Sequence, residues 1–135
     1  MTMDEGPQSG DVVAVLAQNQ AFYDAFEARS IVAMDEVWEH TDSVVCTHPG
    51  WPPLHGWSAV RQSWQRLLLN NEHLQFIVTD EWVVVRGDVA YVSNAENVLA
   101  AGQMQGSLTA LNVFGRQPDG TWLMLAHHGS PMMGR

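Results

Sequence analysis

Apolar residues recur with helical spacing in three segments of the N-terminal half. Between residues 12 and 28 they return every three or four positions, with acidic side chains opposite, which predicts an amphipathic helix. Ser30 is a suitable N-cap for a short second helix. Gly56 opens a third helix, whose apolar stripe runs from Trp57 to Leu68.

The C-terminal half has the pattern of a β-sheet. A short strand at residues 44–48 precedes the third helix and ends at a proline-rich loop. Four longer runs follow, at residues 73–86, 88–100, 103–116 and 121–128. Each break between them contains a residue suited to a tight turn, so consecutive strands are expected to be antiparallel. An order in which the helices precede the strands is typical of the α+β class. Helices that pack on the concave face of a curved sheet would close a cone with one open end.

Composition and charge narrow the classes of function. The 135 residues suit one domain, which we expect at residues 11–135, after a disordered tail at residues 1–10. With 15 acids, six arginines and no lysine, the formal charge is −9, which argues against a nucleic-acid partner. No apolar run approaches the ~20 residues of a membrane helix, and the N-terminus does not resemble a signal peptide. The single cysteine, Cys46, favours a reducing, cytoplasmic setting.

Four local strings, in this order and spacing, resemble the NTF2-like superfamily and its SnoaL-like members. They are QAFYDAF at residues 20–26, VVCTHPGW followed by LHGW at residues 44–57, GDVAYV at residues 87–92, and VF, DGTW and HHGSP within residues 113–131. The resemblance implies the cone-shaped, cystatin-like fold, with three N-terminal helices on a strongly curved, mixed, mostly antiparallel sheet. The superfamily includes ketosteroid isomerases, polyketide cyclases, scytalone dehydratases, epoxide hydrolases and kinase association domains that only oligomerise, so the fold does not determine the function.

Resemblance to the ketosteroid isomerases implies three catalytic positions. Their aspartate base corresponds to His48, just before Pro49, and a histidine can also act as a general base. Their helix-one tyrosine corresponds to Phe22, with Tyr23 one position away. Their protonated aspartate corresponds to Asn112, which can donate a hydrogen bond to a developing oxyanion. A histidine thus replaces the base, the tyrosine is lost, and an asparagine is a weaker donor than the protonated aspartate. These differences argue against steroid isomerase activity.

Strand alternation adds further polar candidates. In the last strand Trp122 and His128 share a face, which the resemblance turns into the cone. The alternative is that His128 is a structural histidine at the end of the sheet. In the second long strand Asn94 and Glu96 share a face. If this face points inward, Glu96 is an acid/base carboxylate with its pKa raised by burial; if outward, it is a solvated or interface residue.

Aromatic residues supply the expected walls of the cavity. Trp51 and Trp57 flank the proline-rich loop and, with Trp64, would stack on a flat apolar ligand, or else simply pack the loop onto the third helix. The spacing of His48 and His55 matches no standard metal-ligand motif, so neither a metal nor a cofactor is expected.

The sequence is compatible with two functions. In the first, the cone binds a small, largely apolar molecule and catalyses proton transfer next to a carbonyl, as in isomerisation, cyclisation or dehydration. The general acid/base residues would be His48, Asn112, His128 and Glu96. In the second, the cone is filled by its own side chains, and the domain only dimerises or senses a ligand.

The uncovered face of the sheet predicts a homodimer. If Trp82 and Asn112 point inward, alternation leaves four apolar side chains on the outer face: Val83, Val85, Leu111 and Val113. An exposed apolar patch of this kind usually marks an interface, and two-fold symmetry is the commonest arrangement.

Overall fold

The computed structural model describes residues 7–70 and 73–133. The three helices and the five predicted strands follow one another in the predicted order, and a sixth, two-residue strand that was not predicted lies just before the third helix. Their bounds are α1 Pro7–Ala28, α2 Ile31–Val37, β1 Val45–Thr47, β2 Leu54–His55, α3 Trp57–Asn70, β3 Leu74–Arg86, β4 Val89–Ala100, β5 Gln103–Arg116 and β6 Trp122–Pro131. None of the helices in this described part is long and apolar enough to cross a membrane.

Helix α1 starts earlier than the pattern predicted. Residues 7–10 belonged to the expected tail but form the first turn of the helix. Pro7 suits this position because the first helical N–H groups have no intrahelical acceptor and its fixed φ already fits a helix. The rest of the predicted tail, residues 1–6, lies outside the described residues.

All six strands form one sheet in the order β2-β1-β6-β5-β4-β3. Every neighbouring pair is antiparallel except β1 and β6, which run parallel with Val45 opposite Ala126. Strands β2 and β3 are the two edges, so the sheet is not closed. The predicted α+β class with a mixed, mostly antiparallel sheet is confirmed.

The helices pack on the inner face of this sheet. Fully buried side chains from each helix, Phe22, Met34 and Trp64, join Val92 and Phe114 of the sheet in one core. The N-cap of α2 is as predicted, since the Ala33 N–H donates to the Ser30 hydroxyl at 3.0 Å. A core on one side leaves the outer face of the sheet uncovered.

A β-bulge in β6 changes which residues face the core. Val113 pairs with Ala126 but Phe114 pairs with Met124, so Leu125 is an extra residue without an opposite partner. Before the bulge Trp122 and Met124 point inward, and after it the alternation has changed phase. His127 is therefore buried and His128 is exposed. The inward placement predicted for His128 is wrong, because it assumed an unbroken alternation.

A second bulge lies in β3, at Asp80 and Glu81. Thr79 pairs with Ala95 and Trp82 pairs with Ser93, so two residues stand opposite Asn94. Asp80 takes a φ of 59°, an unusual backbone conformation that turns the strand locally.

This bulge overturns part of the predicted outer face. Val83 and Val85 pair with the buried Val92 and Ala90 and so point inward, whereas Trp82 is 67% exposed on the outer side. Leu111 does lie on the outer face, as predicted, and the buried Asn112 points inward.

Candidate functional site

A cavity of about 260 Å³ lies between the helices and the inner face of the sheet. This volume is below the ~300–1,000 Å³ of most drug-sized sites and is large enough for a small organic molecule. Most of its lining is apolar: Phe26, Pro49, Trp51, Leu67, Leu74, Phe76, Val98 and Leu108. Three polar side chains complete the lining: His48, Glu96 and His127.

His48 is held at the end of β1 by a serine of α3. The Ser63 hydroxyl donates to the Val60 carbonyl at 2.6 Å, so it accepts from His48 Nε2–H at 2.8 Å. The lone pair is then on Nδ1, which lies 3.9 Å from the Cys46 sulfur. Burial lowers the pKa of His48 to about 4, so the ring is neutral at neutral pH.

Glu96 points inward from β4 and accepts a short hydrogen bond from α1. The Tyr23 hydroxyl donates to Glu96 Oε2 at 2.6 Å. Burial raises the pKa of Glu96, and the Tyr23 hydrogen bond partly opposes this because it stabilises the carboxylate. Burial and the charge of Glu96 raise the pKa of Tyr23 as well. The sequence left two orientations possible for Glu96, and in the structure its side chain points inward.

His127 is the third polar group, and its orientation is set by Asn112. The amide Nδ2 of Asn112 donates to Asn19 Oδ1 at 2.8 Å and to Tyr23 Oη at 3.2 Å. Its carbonyl oxygen therefore accepts from His127 Nδ1–H, at 2.6 Å. The lone pair of this ring is thus on Nε2. Burial, together with the charges of His48 and His128, lowers the pKa of His127 to about 3.

These contacts are part of a larger buried network behind the cavity. Asn19 is fully buried on α1 and donates to Asn94 Oδ1 at 3.1 Å and to Glu81 Oε2 at 3.0 Å. Asn94 in turn donates to Tyr23 Oη at 3.1 Å. The network runs from the β3 bulge through α1 to Glu96, and such a satisfied set of hydrogen bonds keeps its members rigid.

The structure sorts the predicted site residues into three groups. His48, Trp51 and Glu96 line the cavity. Six lie buried outside the lining: Phe22, Tyr23, Trp64, Asn94, Asn112 and Trp122. The other two, Trp57 and His128, are neither buried nor part of the lining.

Three residues that were expected to face the cavity lie away from it, each in a different environment. Trp57 stacks on His40 at 4.5 Å, away from the cavity. Trp122 is buried beneath the Arg116 guanidinium, 4.5 Å from its ring centre. His128 lies on the outer face of the sheet.

Sequence reasoning missed His127 and two aromatic walls, Phe26 and Phe76. Two consecutive histidines on one strand must face opposite sides, which signals that one faces inward. Only the bulge at Leu125 decides which of the two it is. Phe76 alternates with the partly buried Leu74, a pattern that was available in the sequence.

Among the described residues, this site contains neither an activated cysteine nor a cluster of metal ligands. Cys46 is fully buried, and burial raises the pKa of its thiol, which disfavours the nucleophilic thiolate. Within residues 7–70 and 73–133, no three His, Cys, Asp or Glu side chains lie close enough together to hold a metal ion.

Comparison with known proteins agrees with this architecture. The sequence profile of the SnoaL-like domain matches residues 15–134. An NTF2-like protein from Streptomyces avermitilis, described as a candidate dehydratase, is 37% identical with a TM-score of 0.85, over 94% of this chain and 99% of that one. A protein from Thiobacillus denitrificans, described as a candidate calcium/calmodulin-dependent protein kinase type II association domain, is 31% identical with a TM-score of 0.82, over 87% and 94%.

A curated plant protein shares the same region. F-box protein SKIP8 of Arabidopsis thaliana is 28% identical over 120 residues, which make up 89% of this chain and 50% of that protein. The chain thus spans about half the length of this relative. The profile match over most of the chain and the two structural relatives confirm the resemblance: the chain belongs to the SnoaL-like domain family of NTF2-like proteins.

Proposed function

We propose that this chain binds a small, largely apolar molecule in its cavity and catalyses a proton transfer on it without a cofactor. One observation carries the proposal: a carboxyl group and two neutral imidazoles meet on an otherwise apolar wall around about 260 Å³ of space. A domain that served only as a scaffold would not need this space, and its own side chains would fill it. Buried titratable groups converging on a cavity are typical of acid/base sites.

Glu96 is the group best suited to move the proton. A pKa raised by burial brings a carboxyl closer to neutral pH, where a general acid/base works best. Tyr23 occupies Oε2, so Oε1 is left for the ligand. Asn112 supports this arrangement through Tyr23 and His127, and it positions them without lining the cavity.

His48 and His127 orient the ligand in this proposal. Their pKa values, lowered to about 4 and about 3, make both imidazoles weak proton acceptors at neutral pH. They remain good hydrogen-bond acceptors because their rings are uncharged. The role of general base that the isomerase resemblance implied for His48 stays a prediction, and the same experiment tests it.

Dehydration is the reaction class that we favour. The 37% identical relative is described as a candidate dehydratase. The Glu96 carboxylate would take a proton from the carbon next to a carbonyl, and the C–O bond of the β-hydroxyl would then break. Glu96 would return the proton to the departing hydroxide, so the products are a C=C double bond and water. One carboxyl group serves as base and then as acid, and the reaction needs no further reactant.

A β-hydroxy ketone tests this function directly. With 3-hydroxy-1-phenylpropan-1-one as the probe, we expect enzyme-dependent formation of the conjugated ketone, followed by absorbance, and α-proton exchange in D₂O, followed by NMR. Glu96→Gln should lower both rates by roughly 10²–10⁴-fold, the scale of general-base loss. Glu36→Gln, at an exposed position on α2, is the matched control. Unchanged rates in Glu96→Gln combined with a large loss in His48→Ala would move the base to His48, and no turnover above background would refute catalysis of this class.

The homodimer expected from the sequence has support of its own. The 31% identical relative is described as an association domain, and apolar side chains are exposed on the outer face of the sheet. We therefore also propose a homodimer through that face. A dimer is compatible with an active cavity, because the two functions use opposite sides of the sheet.

A further inference from the structure

The buried network behind the cavity uses its donor hydrogens internally. The Tyr23 hydroxyl donates to Glu96. Asn112 donates to Asn19 and Tyr23, Asn94 donates to Tyr23, and Asn19 donates to Asn94 and to Glu81. Hydroxyl and amide groups are the usual donors to a ligand carbonyl, and here they are committed to one another.

The two imidazoles of the lining also direct their N–H groups away from the cavity. His127 donates from Nδ1 to Asn112, and His48 donates from Nε2 to Ser63. Within the described residues, His127 Nε2 and Glu96 Oε1 have no hydrogen-bond partner. The groups that the three polar side chains of the lining leave free for a ligand are therefore hydrogen-bond acceptors.

Charge adds a second constraint on the ligand. Among the described residues, no arginine lines the cavity, and the chain has no lysine. Arg66 lies over the Trp51 ring, 5.4 Å from its centre, and is not a lining residue. An anionic group in the cavity would meet the Glu96 carboxyl without a compensating cation, which is costly in an apolar site.

We propose that the substrate is a small, uncharged alcohol whose hydroxyl donates a hydrogen bond to His127 Nε2. This assignment rests on the proposed small-molecule cavity and narrows its ligand to one chemical class. A ligand whose polar group is only an acceptor would leave His127 Nε2 desolvated and unpaired, which carries a penalty that an alcohol avoids. The β-hydroxyl required for dehydration belongs to the same class.

The substitution Gly129→Ala tests access to Nε2 without altering the network. A Cβ built on Gly129 lies 3.6 Å from His127 Nε2 and 3.4 Å from Pro49 Cγ, which are ordinary contact distances. The new methyl group would crowd the acceptor nitrogen and exclude a hydroxyl from it. Gly10→Ala is the matched control, because a Cβ at Gly10 meets nothing within 4 Å.

The experiment compares four monosubstituted benzenes by NMR titration of the full chain at pH 7.5: benzyl alcohol, benzaldehyde, benzoate and benzylamine. We expect benzyl alcohol to bind roughly 3- to 10-fold more tightly than benzaldehyde, the effect of one net hydrogen bond, and benzoate not to bind detectably. Gly129→Ala should bring the alcohol-to-aldehyde affinity ratio to about one, whereas Gly10→Ala should keep the wild-type ratio.

Each other outcome overturns the assignment in a recognisable way. Equal or tighter binding of benzaldehyde, or any binding of benzoate, removes the alcohol class but leaves the small-molecule cavity. Benzylamine binding more tightly than benzyl alcohol assigns the site to amines instead. Absence of binding for all four probes refutes the cavity function as well.

A direct measurement on the wild-type chain does not depend on any variant folding. Imidazole ¹⁵N shifts distinguish the two neutral tautomers. We expect the proton of His127 on Nδ1, with Nε2 unprotonated. A proton on Nε2 would make the ring a donor to the cavity and overturn the proposal.

Discussion

Asn112 and His127 stand directly opposite each other on β5 and β6, and a hydrogen bond of 2.6 Å joins their side chains across the strand pair. The amide group of Asn112 is itself fixed by Asn19 and Tyr23 from helix α1. The tautomer of His127 is thus set, through Asn112, by Asn19 of helix α1, which lies 93 residues before Asn112 in the sequence.

Asn112→Leu should strongly destabilise the fold. The change removes the acceptor of His127 Nδ1–H and the donor to Asn19 Oδ1, so these two buried groups are left unpaired, and Tyr23 loses one of its hydrogen bonds. We expect the free energy of unfolding in urea to fall by roughly 2–4 kcal/mol. Gln75→Leu, at an exposed position on β3, is the control and should cost less than ~1 kcal/mol. Equal losses in the two variants would contradict a special role for the buried network.

Tyr23→Phe should change the titration of Glu96. The Tyr23 O–H stabilises the carboxylate and lowers its pKa, so removing it should raise that pKa further. The carboxyl ¹³C shift of Glu96, followed against pH, measures the effect. Tyr91→Phe, on the exposed outer face, is a matched control and should leave the Glu96 titration unchanged. A lower pKa in Tyr23→Phe would mean that Tyr23 does not stabilise the ionised form.

The two buried imidazoles should make the fold less stable as the pH decreases. Their folded pKa values of about 4 and about 3 lie below the ~6.5 of an unfolded histidine, so the unfolded chain takes up protons first. Their contribution is fully present above pH ~6.5 and is lost as the pH falls towards those folded values. Glu96 acts in the opposite sense, because its raised pKa favours folding at low pH and this contribution is lost as the pH rises through that value.

A background of Glu96→Gln separates the two effects. In that background we expect the free energy of unfolding to drop by roughly 1 kcal/mol per pH unit per histidine between pH 6 and 5. Adding His48→Phe should make this slope shallower. Should the slope be the same with and without His48→Phe, His48 is not buried as a neutral ring.

The outer face should form a homodimer. One row of directly paired residues crosses four strands on this face: Trp82, Ser93, Leu111 and His128. In this row Trp82 is 67% exposed and Leu111 is 44% exposed. Light scattering at micromolar concentration should give twice the 15.0 kDa chain mass. Leu111→Arg should give a monomer, whereas Val13→Arg, on the exposed side of α1, should not. A monomeric wild-type chain would refute the dimer.

Local pattern was enough to predict the elements of this fold. The helical stripe around Phe22 and the turn residues between the long strands depend on nearby residues, and each predicted strand lies within a few residues of its observed bounds. The inward position of Asn112 was also correct. These features follow from spacing and side-chain chemistry, both of which can be read along the chain.

The site was harder to predict because it depends on two bulges. At Leu125 and at Asp80–Glu81 an extra residue changes the alternation, and no local composition marks either place. His128 was therefore placed inside instead of His127, and Trp82 inside instead of Val83. The long-range contacts of Asn19 could not be derived from spacing either, since they require the packing of α1 on the sheet.

The two consecutive histidines of β6 place the cavity and the outer face one peptide unit apart. Their Cα atoms are ~3.8 Å from each other, and one ring faces the ligand space while the other faces the proposed dimer partner. A contact that moves the backbone at His128 therefore also moves His127. If the proposed dimer and the proposed ligand both form, self-association and ligand affinity would be thermodynamically linked, and by reciprocity a ligand that tightens the dimer would bind the dimer more tightly by the same factor. Measured affinities for this protein should accordingly depend on protein concentration.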